Sequence, residues 1–341
     1  MALNNRLILG IESSCDDTSA AVLSGTQILA NITHTQLIHE AYGGVVPELA
    51  SRAHIEHIVP VVKRAMETAQ VSLKDIDAIA FTQGPGLMGS LVVGTSFAKG
   101  LALALNKPLI GVHHMKAHIL SHFISHEAMT APTFPYLCLT VSGGHTQIVV
   151  VHDALNMEII GKTIDDAAGE AFDKAAKMLG LPYPGGPLID HYGKTGNPMA
   201  FSFAEPKIPE LNFSFSGLKT SILYFLKKEV AKNSEFITEN LNDLCASIQH
   251  GITDILLKKL KKAQQHTGIK CIAVSGGVSV NSDLRAKLQA WQVTNPELSM
   301  HIALPSYCTD NAAMIAITGA FLFEAGITHD QQISANAKLP W

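Results

Sequence analysis

The sequence predicts an α/β protein made of two duplicated lobes around a central cleft, and three observations carry that prediction. The chain has 341 residues, more than the roughly 100–200 of one ordinary domain. A pattern of strand, tight polar loop, strand, turn, strand occurs twice. In the first copy the apolar run 7–11 leads into the polar loop 12–18, and strand 19–23 turns at Ser24 and Gly25 into strand 28–32. In the second, the apolar run 136–141 leads into the small polar loop 142–145, and strands 146–151 and 157–161 follow. The third observation is a short apolar strand, 271–274, followed by Ser275, Gly276 and Gly277 and a helical stretch through Asn281 and Leu288. Strand, glycine pair and helix start can bring backbone close to a nucleotide, although an ordinary strand-to-helix turn is the commoner reason for a lone glycine pair.

The remaining elements follow in order. Gly84, Pro85, Gly86 and Gly89 come after the apolar run 78–81 and open an apolar helix through Leu105. Turn formation and close helix packing account for these glycines at least as well as a phosphate cradle. Pro132 and Pro135 break any helix, which puts the lobe boundary there: a first lobe over 1–130 and a second over 131–310. A helical elaboration of the second lobe is expected at about 190–270, and a C-terminal helix near 311–328 is expected to pack back on the first lobe. Hairpin loops of small residues offer N–H groups to phosphate oxygens. Two of them on duplicated lobes resemble the plan of the actin-like ATPase (ASKHA) superfamily, in which a nucleotide lies between lobes.

Composition excludes several classes. The chain is 47% hydrophobic and 16% charged, against about 25% charged in a typical soluble domain, which excludes a disordered chain. Its net charge is −4 with four arginines, whereas a protein binding nucleic acid alone usually carries a basic excess. The best polyanion candidate is the stretch 219–270, whose nine lysines and five acids give a local +4. No stretch approaches the ~18 unbroken apolar residues of a membrane span, and the first ten residues lack a signal-peptide core. Five scattered cysteines, with no Cys-x-x-Cys, read as reduced thiols of a cytoplasmic protein.

Two constellations bear chemistry. His113, His114, Met115, Lys116, Ala117 and His118 form the first. On a helix His114 and His118 share a face and can grip one metal ion, although His122 and His126 continue the same stripe. Zinc proteases need a glutamate directly after the first histidine, and Met115 stands there. An oxygen ligand is expected from elsewhere, and Asp310 precedes an apolar helix, where an ordinary N-cap role is also open to it. Two histidines and a carboxylate suit Zn²⁺ or Fe²⁺. The second constellation holds Asp165, Asp166, Glu170 and Asp173 within nine residues, a dense set of acids that calls for a cationic or hydrogen-bonding partner. A rigid bend at 183–187 and Asp190 follow it.

Together these motifs resemble the bacterial tRNA adenosine threonylcarbamoyltransferase family (TsaD), formerly called O-sialoglycoprotein endopeptidase. The resemblance rests on residues 42–52 (YGGVVPELASR), 84–91 (GPGLMGSL), 141–145 (VSGGH), 165–174, 213–219 (FSFSGLK) and 308–313 (CTDNAA). It implies that His114, His118 and Asp310 bind the metal, Fe²⁺ or Zn²⁺. It further implies that Val141, Ser142, Gly143, Gly144, His145, Asp173, Gly186, Asp190 and Asn281 hold threonylcarbamoyl-AMP. The implied reaction passes the threonylcarbamoyl group to the exocyclic amine of the adenosine 3′ to the anticodon, in tRNAs reading ANN codons. Implied partners are a paralogous actin-like subunit (TsaB type) and a small P-loop ATPase (TsaE type), with no membrane. Asp16 is the candidate for taking the proton from the attacking amine. Ala117 and Asp17 depart from the family's usual glycine and glutamate. A metal-dependent protease, an actin-like small-molecule kinase and an inactive scaffold are the alternatives.

Overall fold

Both copies of the repeated hairpin form, and each grows into a five-stranded mixed sheet. The computed structural model describes residues 3–127, 130–206 and 208–341. They fall into two units, Met1–Pro132 with Ala303–Trp341, and Thr133–Ile302. In the first unit β1 (Leu7–Glu12), β2 (Asp17–Ser24) and β3 (Gln27–Thr35) make an antiparallel meander. Helix α1 (Pro47–Ala69), β4 (Ala78–Gly84), α2 (Met88–Leu105), β5 (Leu109–His113) and α3 (His114–Leu120) follow. Strands β4 and β5 add in parallel to β1, giving the order β3-β2-β1-β4-β5.

The second unit repeats this order. Strands β6 (Tyr136–Val141), β7 (Thr146–Val151) and β8 (Met157–Lys162) form its meander. Helices α4 (Ala168–Met178), α5 (Gly185–Gly193), α6 (Ser216–Val230), α7 (Phe236–Glu239) and α8 (Leu241–Thr267) fill the excursion before β9 (Cys271–Ser275). Helix α9 (Ser282–Thr294) and β10 (Ser299–Ile302) complete it. With β9 parallel to β6 and β10 parallel to β9, the order is β8-β7-β6-β9-β10. The chain then returns to the first unit through α10 (Pro305–Cys308) and α11 (Ala312–Glu324). Residues 303–310, expected in the second lobe, therefore group with the first.

Apolar runs explain the strands. Every residue of β6, β7 and β9 is buried, as continuous apolar strands covered on both faces should be. Helix α2 is long and apolar enough to cross a membrane by length and composition alone. Here the stripe Leu91, Gly94, Ala98 and Ala102 is buried, and the helix packs on α1 and β4, as a core helix does.

Helix α11 is almost wholly buried from Ala312 to Phe321 and lies directly on β1. A Cβ added at Gly10 would sit 2.4 Å from the Ala312 carbonyl oxygen and 2.8 Å from the Ala316 nitrogen. Backbone has come too close there for any side chain. We expect Gly10→Ala to push α11 away and cost about 1–3 kcal/mol, the usual range for overpacking. The measurement is the denaturation midpoint, which should fall below that of the unsubstituted protein.

Candidate metal centre

Strand β5 runs into α3 without a linker, so His114 is the first helical residue and His118 lies one turn on. Their rings are 4.8 Å apart and perpendicular, at 89°. Asp310 Oδ1 lies 3.1 Å from His118 Nε2 and 3.5 Å from His114 Nε2. One donor atom from each of the three residues falls within 4.8 Å of the others, and no other group of three such residues converges this way among the described residues. The histidine stripe stops here because the α-helix ends at Leu120 and continues as a short 3-10 turn, Ser121–Phe123. The capping role open to Asp310 is filled by its neighbour: Asn311 accepts the Met314 N–H at 3.1 Å. Asp310 is thereby released to face the histidines.

A fourth group, missed in the sequence, completes the cluster. Glu12 ends β1 with no solvent exposure. Its Oε2 lies 3.1 Å from His114 Nδ1 and accepts Thr82 Oγ1–H at 2.6 Å, while Oε1 accepts the Ser14 N–H. The one signal available was a carboxylate closing an apolar run where a turn residue is usual. Burial favours neutral forms throughout, but the opposite charges win. Asp310 and Glu12 raise the His114 imidazolium well above the ordinary histidine range. His114 holds Asp310 well below the ordinary carboxylate range and lowers Glu12 as well. With both imidazoles neutral, the two carboxylates leave a buried double negative charge, which a divalent cation neutralises. The donor set fits Zn²⁺ or Fe²⁺.

The loop after Glu12 is anchored from α1. His54 Nε2 lies 2.9 Å from the Cys15 carbonyl oxygen and His54 Nδ1 lies 2.7 Å from Thr18 Oγ1. Burial lowers the His54 imidazole, consistent with a neutral ring that donates to one partner and accepts from the other. The Asp16 carboxylate faces the Cys15 thiol. Asp17 accepts Thr35 Oγ1–H at 2.6 Å, and burial, with the nearby Asp310 and Asp16 carboxylates, pushes it up to about 7.

The residues implied for the adenylate all lie in the second unit, on loops that touch one another. In the β6–β7 loop the Ser142 N–H donates to the His145 carbonyl at 2.8 Å, and a Cβ on Gly143 or Gly144 would meet open space. The Ser142 carbonyl accepts the Gly169 N–H of α4 at 3.2 Å. Val141 is buried, and its carbonyl lies 2.4 Å from where a Cβ on Gly276 would sit. Gly276 also has φ +89, so glycine is required there. Asp173 accepts the N–H groups of Gly185 at 2.8 Å and Gly186 at 3.2 Å. Asp190 accepts the Ser282 N–H at 2.9 Å, and Asn281 caps α9 through the Leu284 N–H at 3.1 Å. These side chains hold the loops together, and the open backbone lies at Gly143, Gly144 and Gly277.

The lysine stretch is largely spent on local partners. Lys219 pairs with Asp166 at 2.9 Å, Lys232 with Glu229 at 2.7 Å and Lys258 with Glu205 at 2.6 Å. Lys259 donates to the Ile208 and Glu210 carbonyls, each at 2.8 Å, and Lys261 lies over the Trp291 ring. The acid cluster meets its expected partners here. Asp166 also pairs with Lys174, and Asp165 accepts from Ser214 Oγ and the Phe215 N–H.

A metal ion on His114 must displace the proton that Asp310 and Glu12 favour there. Affinity should therefore rise with pH, by up to about tenfold per unit while His114 is charged. Zinc titration by calorimetry between about pH 6 and pH 8, in buffers of different ionisation enthalpy, should show binding that tightens as pH rises, with the His114 proton released on binding across the range.

Comparison with known proteins places this geometry in a family. The family model described as tRNA N6-adenosine threonylcarbamoyltransferase matches residues 27–317. Proteins of that name from Christiangramia forsetii and Riemerella anatipestifer are 58% and 55% identical. The first alignment covers 92% of each chain and the second 98% of each. The Thermosipho africanus protein of the same name is 46% identical over 96% of this chain and 98% of its own. Among solved structures, full-length HypF in its phosphate- and nucleotide-bound form aligns with a TM-score of 0.61 at 14% identity. That alignment covers 95% of this chain but 56% of HypF, so it speaks for the actin-like fold alone. The match over residues 27–317 and the identities of 46–58% decide the matter: the chain belongs to the tRNA N6-adenosine threonylcarbamoyltransferase family.

Proposed function

We propose that this protein passes the threonylcarbamoyl group of threonylcarbamoyl-AMP to the exocyclic amine of the adenosine 3′ to the anticodon, in tRNAs reading ANN codons. Near-full-length identity to transferases of that name carries the reading. The convergence of His114, His118 and Asp310 supports it. A divalent ion on those residues, Fe²⁺ or Zn²⁺, would supply Lewis acidity toward oxygens of the adenylate.

The chain's own groups divide the rest. Backbone N–H groups of Gly143 and Gly144 donate to phosphate or carbonyl oxygen, a role suited to an exposed loop of small residues whose Ser142 N–H is already bonded to the His145 carbonyl. Val141, His145, Asp173, Gly186, Asp190 and Asn281 fix the loops around the adenylate. The amine nitrogen bonds to the carbamoyl carbon, the bond from that carbon to the phosphate oxygen breaks, and AMP leaves. Asp16 takes the amine proton. A paralogous actin-like subunit and a small P-loop ATPase are the proposed partners, and the cytoplasm, where tRNA is found, is the proposed location. Binding of tRNA is proposed to draw both on the lysine stretch 219–270 and on surfaces of those partners.

The test incubates ANN-reading tRNA, threonylcarbamoyl-AMP and this protein, with and without the partner proteins, and weighs the nucleosides by mass spectrometry. A threonylcarbamoyl mass on adenosine is expected. Asp16→Asn should keep the metal and slow transfer about 10²–10⁴-fold, the span of general base catalysis. Loss of metal in Asp16→Asn would remove it from the proton-transfer role.

A further inference from the structure

We infer that Glu12 is a positioning residue for the metal centre: its carboxylate fixes the proton of His114 on Nδ1, so that Nε2 is presented as the metal donor. The inference rests on the proposed metal reading of His114, His118 and Asp310.

Geometry carries it. The Nε2 atoms of both histidines face Asp310, at 3.5 Å and 3.1 Å. A neutral imidazole that ligates through Nε2 must carry its proton on Nδ1. On His114 that nitrogen meets Glu12 Oε2 at 3.1 Å. The carboxylate cannot turn away, because Thr82 Oγ1–H holds Oε2 at 2.6 Å and the Ser14 N–H holds Oε1. All three donors are matched to an acceptor with no proton of its own. His118 Nδ1 has no such partner among the described residues, so His114 is the ligand whose tautomer and ring plane are set from behind. A carboxylate behind a metal-bound histidine also raises the basicity of the donor nitrogen.

The position therefore demands a carboxylate, and shape alone does not suffice. In Glu12→Gln the amide offers one oxygen and one NH₂. With the oxygen toward the Ser14 N–H, the NH₂ points at His114 Nδ1 and drives the proton to Nε2, the donor atom. With the oxygen toward His114, the NH₂ meets the Ser14 N–H, donor against donor. Either arrangement penalises the liganding tautomer.

The test titrates Zn²⁺ alone into the full chain and its variants by calorimetry, with circular dichroism as a folding control. Glu12→Gln should weaken zinc binding about 10–100-fold, the usual loss for an outer carboxylate partner. Thr82→Val, which frees one carboxylate oxygen, should weaken it in the same direction by a smaller factor. In the zinc-loaded protein a two-bond proton–nitrogen spectrum should show the His114 proton on Nδ1. Zinc affinity unchanged in both variants, or a His114 proton on Nε2, overturns the inference. Should Glu12→Gln fail to fold, Thr82→Val decides alone. His118→Ala separates the two levels: if it binds zinc as tightly as the unsubstituted chain, the metal reading itself falls.

Discussion

The close packing of α11 on β1 is the contact on which the rest of the centre depends. Gly10 leaves no room for a methyl group beneath the Ala312 carbonyl, so the start of α11 is fixed against the sheet at backbone distance. Asp310 lies two residues before that helix and is carried to His118 across 192 residues of sequence. The other members come from the sheet itself. Glu12 ends β1, Thr82 belongs to β4, and His114 follows β5, three strands that are neighbours in the order β1-β4-β5. Strand order and one helix contact thus decide which side chains meet, with no long loop involved in holding them.

That placement is electrostatically expensive without a cation. Two carboxylates and two imidazoles share a buried space, where each ion loses hydration. Protons relieve the cost in part, which is why His114 holds its proton so firmly against Asp310 and Glu12. A divalent ion relieves it more fully, because it neutralises both carboxylates at once and leaves the histidines neutral. The same donors that share a proton as a salt-bridged cluster are thus also the donors a divalent ion would take. Asp17, pushed up to about 7 by burial and by its acidic neighbours, sits at the edge of the same field and would be lowered by a bound cation.

Much of this architecture is legible in the sequence, because apolar runs and tight polar loops are local signals. The two hairpins, β9 with its glycine pair, and the helical spacing of His114 and His118 all follow from patterns a few residues long. What is not legible depends on partners distant in sequence. No spacing rule tells which of Asp310 and Asn311 caps α11, and the cap falls to Asn311. Glu12 reads as an ordinary polar end to a strand until Thr82 and His114 are seen around it. The +4 of 219–270 leaves out Asp166 and Glu205, both outside that window, which pair with Lys219 and Lys258 and halve the local excess.

The duplication then acquires a physical meaning. The β1–β2 connection and the β6–β7 connection are equivalent in topology, as are the β4–α2 and β9–α9 turns, yet their chemistry differs. In the first unit the turn after β4 is covered. Gly86 donates its N–H to the Ala337 carbonyl at 3.3 Å, and a Cβ on Gly84 would strike the Asn336 carbonyl at 1.9 Å. Those glycines serve close packing, and their backbone is not available to a phosphate. In the second unit a Cβ on Gly143, Gly144 or Gly277 would meet open space; the first loop is tied by backbone bonds from Ser142 to His145 and from Gly169 to Ser142, and the second is followed by a helix start held by Asp190 and Asn281. One lobe has used its loops to gather buried charge, and the other has kept its backbone donors exposed.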